Sequence, residues 1–186
     1  MVFHVLNRGV GRRDLFEKEG DFLAFEAILA ETLVLCPMRI CCYCLMSSHW
    51  HLILWPEGDG QLSAFMQNLT NTHVKRWKQH RQEVGWGHLY QGRFKSFPVE
   101  CDDYFYQVAR YVERNALRAS LVERAEDWRW SSLWRRGRPE ERKTPLLSPW
   151  PLPLPRLWPR HVNEPQTEGE VAAIRRSIQR GAPYGG

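Results

Sequence analysis

The chain opens on a run in which apolar and polar side chains alternate, Val2 to Gly9 (VFHVLNRG), and the Gly-Val-Gly at Gly9 to Gly11 breaks it. That is the period of a half-buried strand. Asp21 then starts a predicted helix, with Phe22, Phe25, Leu29 and Leu33 on one stripe and Pro37 ending the run. Arg39 to Met46 (RICCYCLM) reads as a buried strand, Ser47-Ser48 as a tight turn, and His49 to Trp55 (HWHLILW) as the strand running back. Gln61 to about His80 returns to helical spacing through Leu62, Phe65, Met66, Leu69, His73 and Trp77. Tyr90 to Glu100 (YQGRFKSFPVE) alternates again and places Arg93 and Lys95 on one face of a fourth strand. Asp102 or Asp103 can cap a further helix running to about Ala119.

The predicted order is β-α-β-β-α-β-α. It suits an α+β fold of the ferredoxin-like kind, a four-stranded antiparallel sheet covered by helices on one face with the other face open for a site. The texture changes from Trp128. Arg135 to Lys143 is basic and polar, and Pro145 to Pro159 holds six prolines among Leu and Trp, so it should be extended. Thr167-Glu168-Gly169-Glu170 makes a capping box for a short basic helix ending at Gly181. The division expected is a domain over 1–132 and, over 133–186, a basic, proline-rich linker with a C-terminal helix.

At 186 residues the chain can build one real core but hardly two. Lys and Arg outnumber Asp and Glu by 26 to 21, a formal charge of +5, which favours a polyanionic partner. With 9 Trp, 6 Tyr and 8 Phe, part of the aromatic supply is available to stack on unpaired bases. Five cysteines, three of them crowded at Cys41, Cys42 and Cys44, do not make a disulfide framework. No secretory pattern opens the sequence and no apolar run reaches the roughly 20 residues of a bilayer span, so a soluble, reduced, cytoplasmic protein with no membrane partner is expected.

His49 and His51 alternate on a predicted strand, which sends both imidazoles to one face with Cα atoms about 6.5 Å apart. Two neutral imidazoles at that separation can share a metal ion, although two half-exposed strand histidines give the same pattern. Tyr111 and Asn115 are four apart on a predicted helix, so a phenol and an amide face one point about 6 Å apart along the axis. Tyr111 equally continues a packing stripe with Tyr104 and Val108.

The segments HVLNRG (His4 to Gly9), YCLMSSHWHLIL (Tyr43 to Leu54), LYQGRFKS (Leu89 to Ser96), RYVERNALRASLV (Arg110 to Val122) and WRWSS (Trp128 to Ser132) resemble, in order and spacing, the REP-associated tyrosine transposases. These are a branch of the single-tyrosine HUH transposases. The tail from Val162 to Gly185 resembles that branch as well. The resemblance implies the HUH endonuclease fold, with His49 and His51 as metal ligands, Asn115 completing or supporting the metal site, and Tyr111 as nucleophile. The metal implied is Mg²⁺ or Mn²⁺. It also implies cleavage and rejoining of single-stranded DNA beside hairpins through a 5′-phosphotyrosine. DNA contacts are expected from Arg8, Gln91, Arg93, Lys95 and Arg118, and from Arg175 and Arg176 of the tail helix. The chain departs from the family at Ser47-Ser48, where Pro-Asn is usual. It departs again at Asn115 to Ser120, where Asn-Pro-Val-Arg-Ala-Gly is usual.

Two other readings compete. One is a non-catalytic hairpin-binding protein that keeps the fold, against which stand the intact His49, His51, Tyr111 and Asn115. The other is a zinc hydrolase built on His49, His51 and a cysteine, since Cys42 and Cys44 share a strand face, although no Cys-x-x-Cys spacing is present. Both monomer and homodimer remain open.

Overall fold

A computed structural model of the protein describes residues 1–100, 102–141 and 144–180. Four strands form, β1 (Val2–Arg8), β2 (Arg39–Met46), β3 (His49–Trp55) and β4 (Lys95–Val99). They make one sheet in the order β2-β3-β1-β4, with every neighbouring pair antiparallel. The helices α1 (Glu19–Leu35), α2 (Gln61–His80) and α3 (Asp103–Glu113) complete the expected β-α-β-β-α-β-α order. The fold is therefore α+β, as the periodicities indicate.

Strand alternation gives the sheet two different faces. Val5, Tyr43, Leu45, Trp50, Leu52 and Leu54 point to one side and join a core with α1 and α2 through Phe22, Phe25, Phe65 and Leu69. On the other side Val2, Cys42, Cys44, Ile53 and Val99 pack with Phe105, Val108 and Val112 of α3. Helices thus cover both faces, where the sequence pattern suggested only one. The reason lies in α3, whose apolar stripe and the apolar second face of the sheet would otherwise both meet water, at about 1.5–3 kcal/mol for each large side chain left exposed. Only the end of this face that carries the β3 histidines remains accessible.

Three boundaries differ from those read in the sequence. The fourth strand is shorter than Tyr90 to Glu100: Tyr90 only bridges to Gly9, and the chain bends through Gln91 to Phe94 before β4 begins. Arg93 is therefore off the strand and does not share its alternation with Lys95. The helix expected to reach Ala119 is interrupted at Arg114 (φ −83°, ψ −1°), and a one-turn helix α4 (Asn115–Arg118) follows. It closes in a Schellman motif, with the Ser120 and Leu121 N–H groups donating to the Leu117 and Ala116 carbonyls, and Ser120 at φ +56°.

The expected appendage is part of the second core. After α5 (Ser132–Gly137) the proline-rich segment is extended, and it runs along the β2 edge. There the Ser148 N–H donates to the Ile40 carbonyl at 2.9 Å and Trp150 Nε1 to the Cys41 carbonyl at 2.8 Å, which covers an edge strand. Trp158 opens α6 (Trp158–Asn163), is 1% exposed, and donates Nε1 to the buried Glu113 carboxylate at 2.6 Å. Arg110 and Arg114 donate to the carbonyls of residues 162–165, satisfying the end of α6. The last helix, α7 (Glu168–Arg180), has the expected Thr167–Glu170 capping box and buries Ile174 against α3; its expected end at Gly181 lies outside the described residues. Among the described residues no helix is long and apolar enough to cross a membrane.

Candidate active site

β3 delivers His49 and His51 to the accessible end of the second sheet face, with ring centroids 5.3 Å apart and ring planes nearly perpendicular. In register, Leu6 stands opposite His51 and Arg8 opposite His49. Each histidine has its Nδ1 engaged. Ser48 Oγ lies 3.3 Å from Nδ1 of His49, and Nε2 of His4 lies 2.9 Å from Nδ1 of His51. Ser48 is one of the positions where the chain departs from the family pattern, and here its hydroxyl takes up a partner role. Gly9, just after β1, is required by close approach, since a Cβ there would sit 2.1 Å from the Arg13 carbonyl oxygen.

Both imidazoles are held neutral. Burial, with Arg118 and Arg8 nearby, lowers His49 to about 4. Burial, reinforced by His4, His49 and Arg118, holds His51 well below its usual range. With Nδ1 engaged in each neutral ring, Nε2 is the nitrogen left to meet a metal when the ring's proton sits on Nδ1. The donor set therefore fits a divalent ion held by two imidazoles with its other positions open to oxygen. Among the described residues no group of three or more His, Cys, Asp or Glu side chains is arranged to hold a metal.

α3 brings Tyr111 beside His51, its ring centroid 5.9 Å from that of His51 and 6.1 Å from that of His4. The Arg118 guanidinium carbon sits 4.1 Å from the centre of the Tyr111 ring, a cation–π distance. Asn115 lies beneath, buried, with Oδ1 accepting from Arg118 Nη2 at 3.0 Å. Its oxygen is thus committed to the guanidinium, and ligation of a metal by Asn115 requires that bond to be exchanged. Asn115 Nδ2 and Arg118 Nη1 are buried donors without a hydrogen-bond partner, a pairing that suits an anion beside Tyr111 better than a cation. The other helix tyrosines are elsewhere: the Tyr106 hydroxyl donates to the Pro153 carbonyl, and Tyr104 packs at the margin of the second core.

The histidines and Tyr111 open into a groove of about 650 Å³. Of the residues expected to touch DNA, Arg8, Gln91, Arg93, Lys95 and Arg175 line it. Arg118 stands behind it against Tyr111, and Arg176 faces a separate hollow along α7. Gln91 accepts a hydrogen bond from Arg8, which steadies both. A second groove of about 990 Å³ adjoins the first, shares Asn7, Gln91, Gly92 and Arg93 with it, and is walled by Gln67, Thr70 and Asn71 of α2. Sequence reasoning missed His4, Asn7, Ser48 and Arg12. Arg12 carries a positive charge into the groove from the glycine turn after β1, at φ +64°.

Cys44 stands opposite His51, and burial pushes its thiol up to about 12 and that of Cys42 well above the usual range, so both are buried as neutral thiols here.

Comparison with known proteins gives the family and the fold. The sequence profile of the family described as "Transposase IS200 like" matches residues 1–115. A solved structure of a REP-associated tyrosine transposase bound to a REP hairpin superposes with a TM-score of 0.59 at 19% identity, over 72% of this chain and 76% of that one. A crystal structure of a putative transposase from Deinococcus radiodurans aligns with a TM-score of 0.47 at 17% identity, over 61% and 88%. No curated protein matches. The profile spans more than half of the chain and contains the histidine pair, Tyr111 and Asn115 alike, and the chain belongs to the IS200-like transposase family.

Proposed function

We propose that this transposase-family chain cleaves and rejoins single-stranded DNA next to hairpins, with Tyr111 as nucleophile and a divalent metal held by His49 and His51. The observation that carries the reading is the meeting of Tyr111 and two neutral imidazoles in one basic groove, with unpaired Arg118 and Asn115 donors buried behind Tyr111. The structural relative solved with a REP hairpin supports a folded DNA end as substrate.

A phenol attacks a phosphodiester poorly, because its ordinary pKa is about 10 and the phosphate carries its own negative charge. A bound Mg²⁺ or Mn²⁺ supplies charge neutralisation and alignment of the phosphate for in-line attack. His49 and His51 would hold that ion, an imidazole pair favouring Mn²⁺ over Mg²⁺. Arg118, stacked on Tyr111, places a guanidinium where charge grows on the phosphate, and Asn115 fixes the guanidinium through Oδ1. The Tyr111 hydroxyl gives up its proton as its oxygen bonds to phosphorus, the bond from phosphorus to the 3′ oxygen breaks, and the 3′ oxygen takes up one proton and leaves as a hydroxyl, so the proton count is unchanged. The ester energy is retained in the phosphotyrosine, so a second 3′ hydroxyl can reverse the step without ATP. Arg8, Arg93, Lys95 and Arg175 would hold backbone phosphates along the groove. The adjoining groove, with the amides of Asn7, Gln67 and Asn71, is suited to unpaired bases.

The test is cleavage of a hairpin-bearing single strand against the fully paired duplex of the same sequence, with Mn²⁺ and with excess chelator. Cleavage of the hairpin strand alone, abolished by chelator, is expected. Equal cleavage of duplex, or cleavage undiminished by chelator, would contradict the reading. A protein that binds the hairpin and never cuts it would instead be the non-catalytic binder.

A further inference from the structure

His4 is 0% exposed in the middle of β1, and its Nε2 lies 2.9 Å from Nδ1 of His51. Its other nitrogen, Nδ1, is buried with no hydrogen-bond partner. One proton is shared across the His4–His51 contact, and it can belong to either ring. If His4 donates from Nε2, the neutral His51 must carry its own proton on Nε2, the nitrogen that faces the groove, and His51 cannot ligate a metal. If His51 donates from Nδ1, its Nε2 is free, and His4 must carry its proton on Nδ1. Phe97 lies against His4 edge to face, with centroids 4.7 Å apart and planes at 79°. Only the second arrangement leaves His51 Nε2 open, so a metal held by His51 selects it.

Resting on the metal site proposed above, we propose that His4 is the positioning residue that sets the proton on His51: it accepts from His51 Nδ1 and so keeps His51 Nε2 open toward the metal. The contact is fixed by the fold. β1 pairs with β3 so that Leu6 faces His51 and His4 faces Ile53, which puts His4 two positions along the same sheet face. Tyr111 packs edge-on against both rings, with centroids 6.1 Å from His4 and 5.9 Å from His51.

The experiment uses the full chain in two measurements. The first is the ¹⁵N spectrum of histidine-labelled wild-type protein with saturating Mg²⁺, in which His51 should carry its proton on Nδ1 and His4 also on Nδ1. A His51 proton on Nε2 overturns the inference. The second is the Kd for Mn²⁺, read from the free-ion EPR signal, in wild type, His4→Gln and His4→Leu. The glutamine amide oxygen can accept at the place of the imidazole Nε2, whereas leucine cannot. Loss of a partner behind a metal-bound histidine weakens binding by about 10- to 100-fold. His4→Leu should therefore lose at least about 10-fold, while His4→Gln should stay within about 3-fold of wild type. Equal losses in both variants, or none in His4→Leu, overturn the inference. If His4→Leu fails to fold, the wild-type spectrum and His4→Gln still decide it. His49→Ala separates this inference from the reading beneath it. An unchanged Kd in His49→Ala removes the metal site itself, while a lost site there with unmoved His4 variants removes only the role of His4.

Discussion

Lowering the pH from 7 to 5 should remove a large part of the stability of this protein, because its buried histidines cannot follow the unfolded chain in taking up protons. Burial lowers His4 and His73 to about 3 and His49 to about 4, from an ordinary value of 6.5. As pH falls below 6.5 each ring is protonated in the unfolded chain and stays neutral in the fold. Stability is therefore lost progressively from about pH 6.5 down to about 4 for His49 and about 3 for the other two. At pH 5, 1.5 units below the ordinary value and 1.36 kcal/mol per unit, the cost is about 2 kcal/mol for each ring, about 6 kcal/mol for the three. His51 shifts in the same direction and adds to it. A domain has about 5–15 kcal/mol to lose. The carboxylates whose pKa is lowered in the fold, Asp21, Glu31 and Glu126, lose their contribution as pH falls through their ordinary values of 3.8 to 4.5 toward the lower folded ones, below this window. The assay is urea unfolding in metal-free buffer at pH 7, 6 and 5. His73→Asn isolates one contribution, since its amide oxygen can still accept from the Tyr90 hydroxyl that now bonds His73 Nδ1 at 2.6 Å. Whatever its offset at pH 7, this variant should lose about 2 kcal/mol less than wild type across the window. A stability that is flat from pH 7 to 5, or a variant with the wild-type slope, would refute the reasoning.

Trp158→Ala should cost about 3–5 kcal/mol, because it empties a fully buried site and leaves Glu113 without the indole donor. Denaturant unfolding checks this, and a wild-type midpoint would show the tail to be dispensable. Ser120→Gly should raise stability by about 1 kcal/mol by relieving a left-handed residue in the Schellman turn, as a shift in the urea midpoint. No gain would mean that the strain is absent. Arg118→Gln should slow single-turnover cleavage by about 100-fold with the Kd for Mn²⁺ unchanged, as removal of one transition-state donor does elsewhere. An unchanged rate would remove Arg118 from the chemistry.

The strands, the helices and the pairing of His49 with His51 were legible because each depends on periods of two or 3.6 residues within one segment. The proximity of Tyr111 to the pair was visible only through the family resemblance, since the 60-odd residues between them say nothing of distance. His4 could not be found, because its contact with His51 exists only once β1 is known to lie beside β3. The tail misled for a related reason. Prolines and arginines read as solvent-loving spacer, yet Trp150, Trp158 and Ile174 supply the apolar cover that the second sheet face needs. Asn115 was read as lying on a continuous helix and facing one point with Tyr111; the break at Arg114 and the bond from Arg118 alter that geometry without moving the residue away.

The most direct test of the central claim is to trap the covalent intermediate. Full-length protein, Mn²⁺ and a hairpin-bearing single strand labelled on the 3′ side of the cut are mixed, and the adduct is digested and mapped by mass spectrometry. The account predicts a labelled adduct on the peptide containing Tyr111, joined through a 5′ phosphate, lost in Tyr111→Phe and retained in Tyr104→Phe. An adduct that persists in Tyr111→Phe, or that maps to another residue, would contradict it.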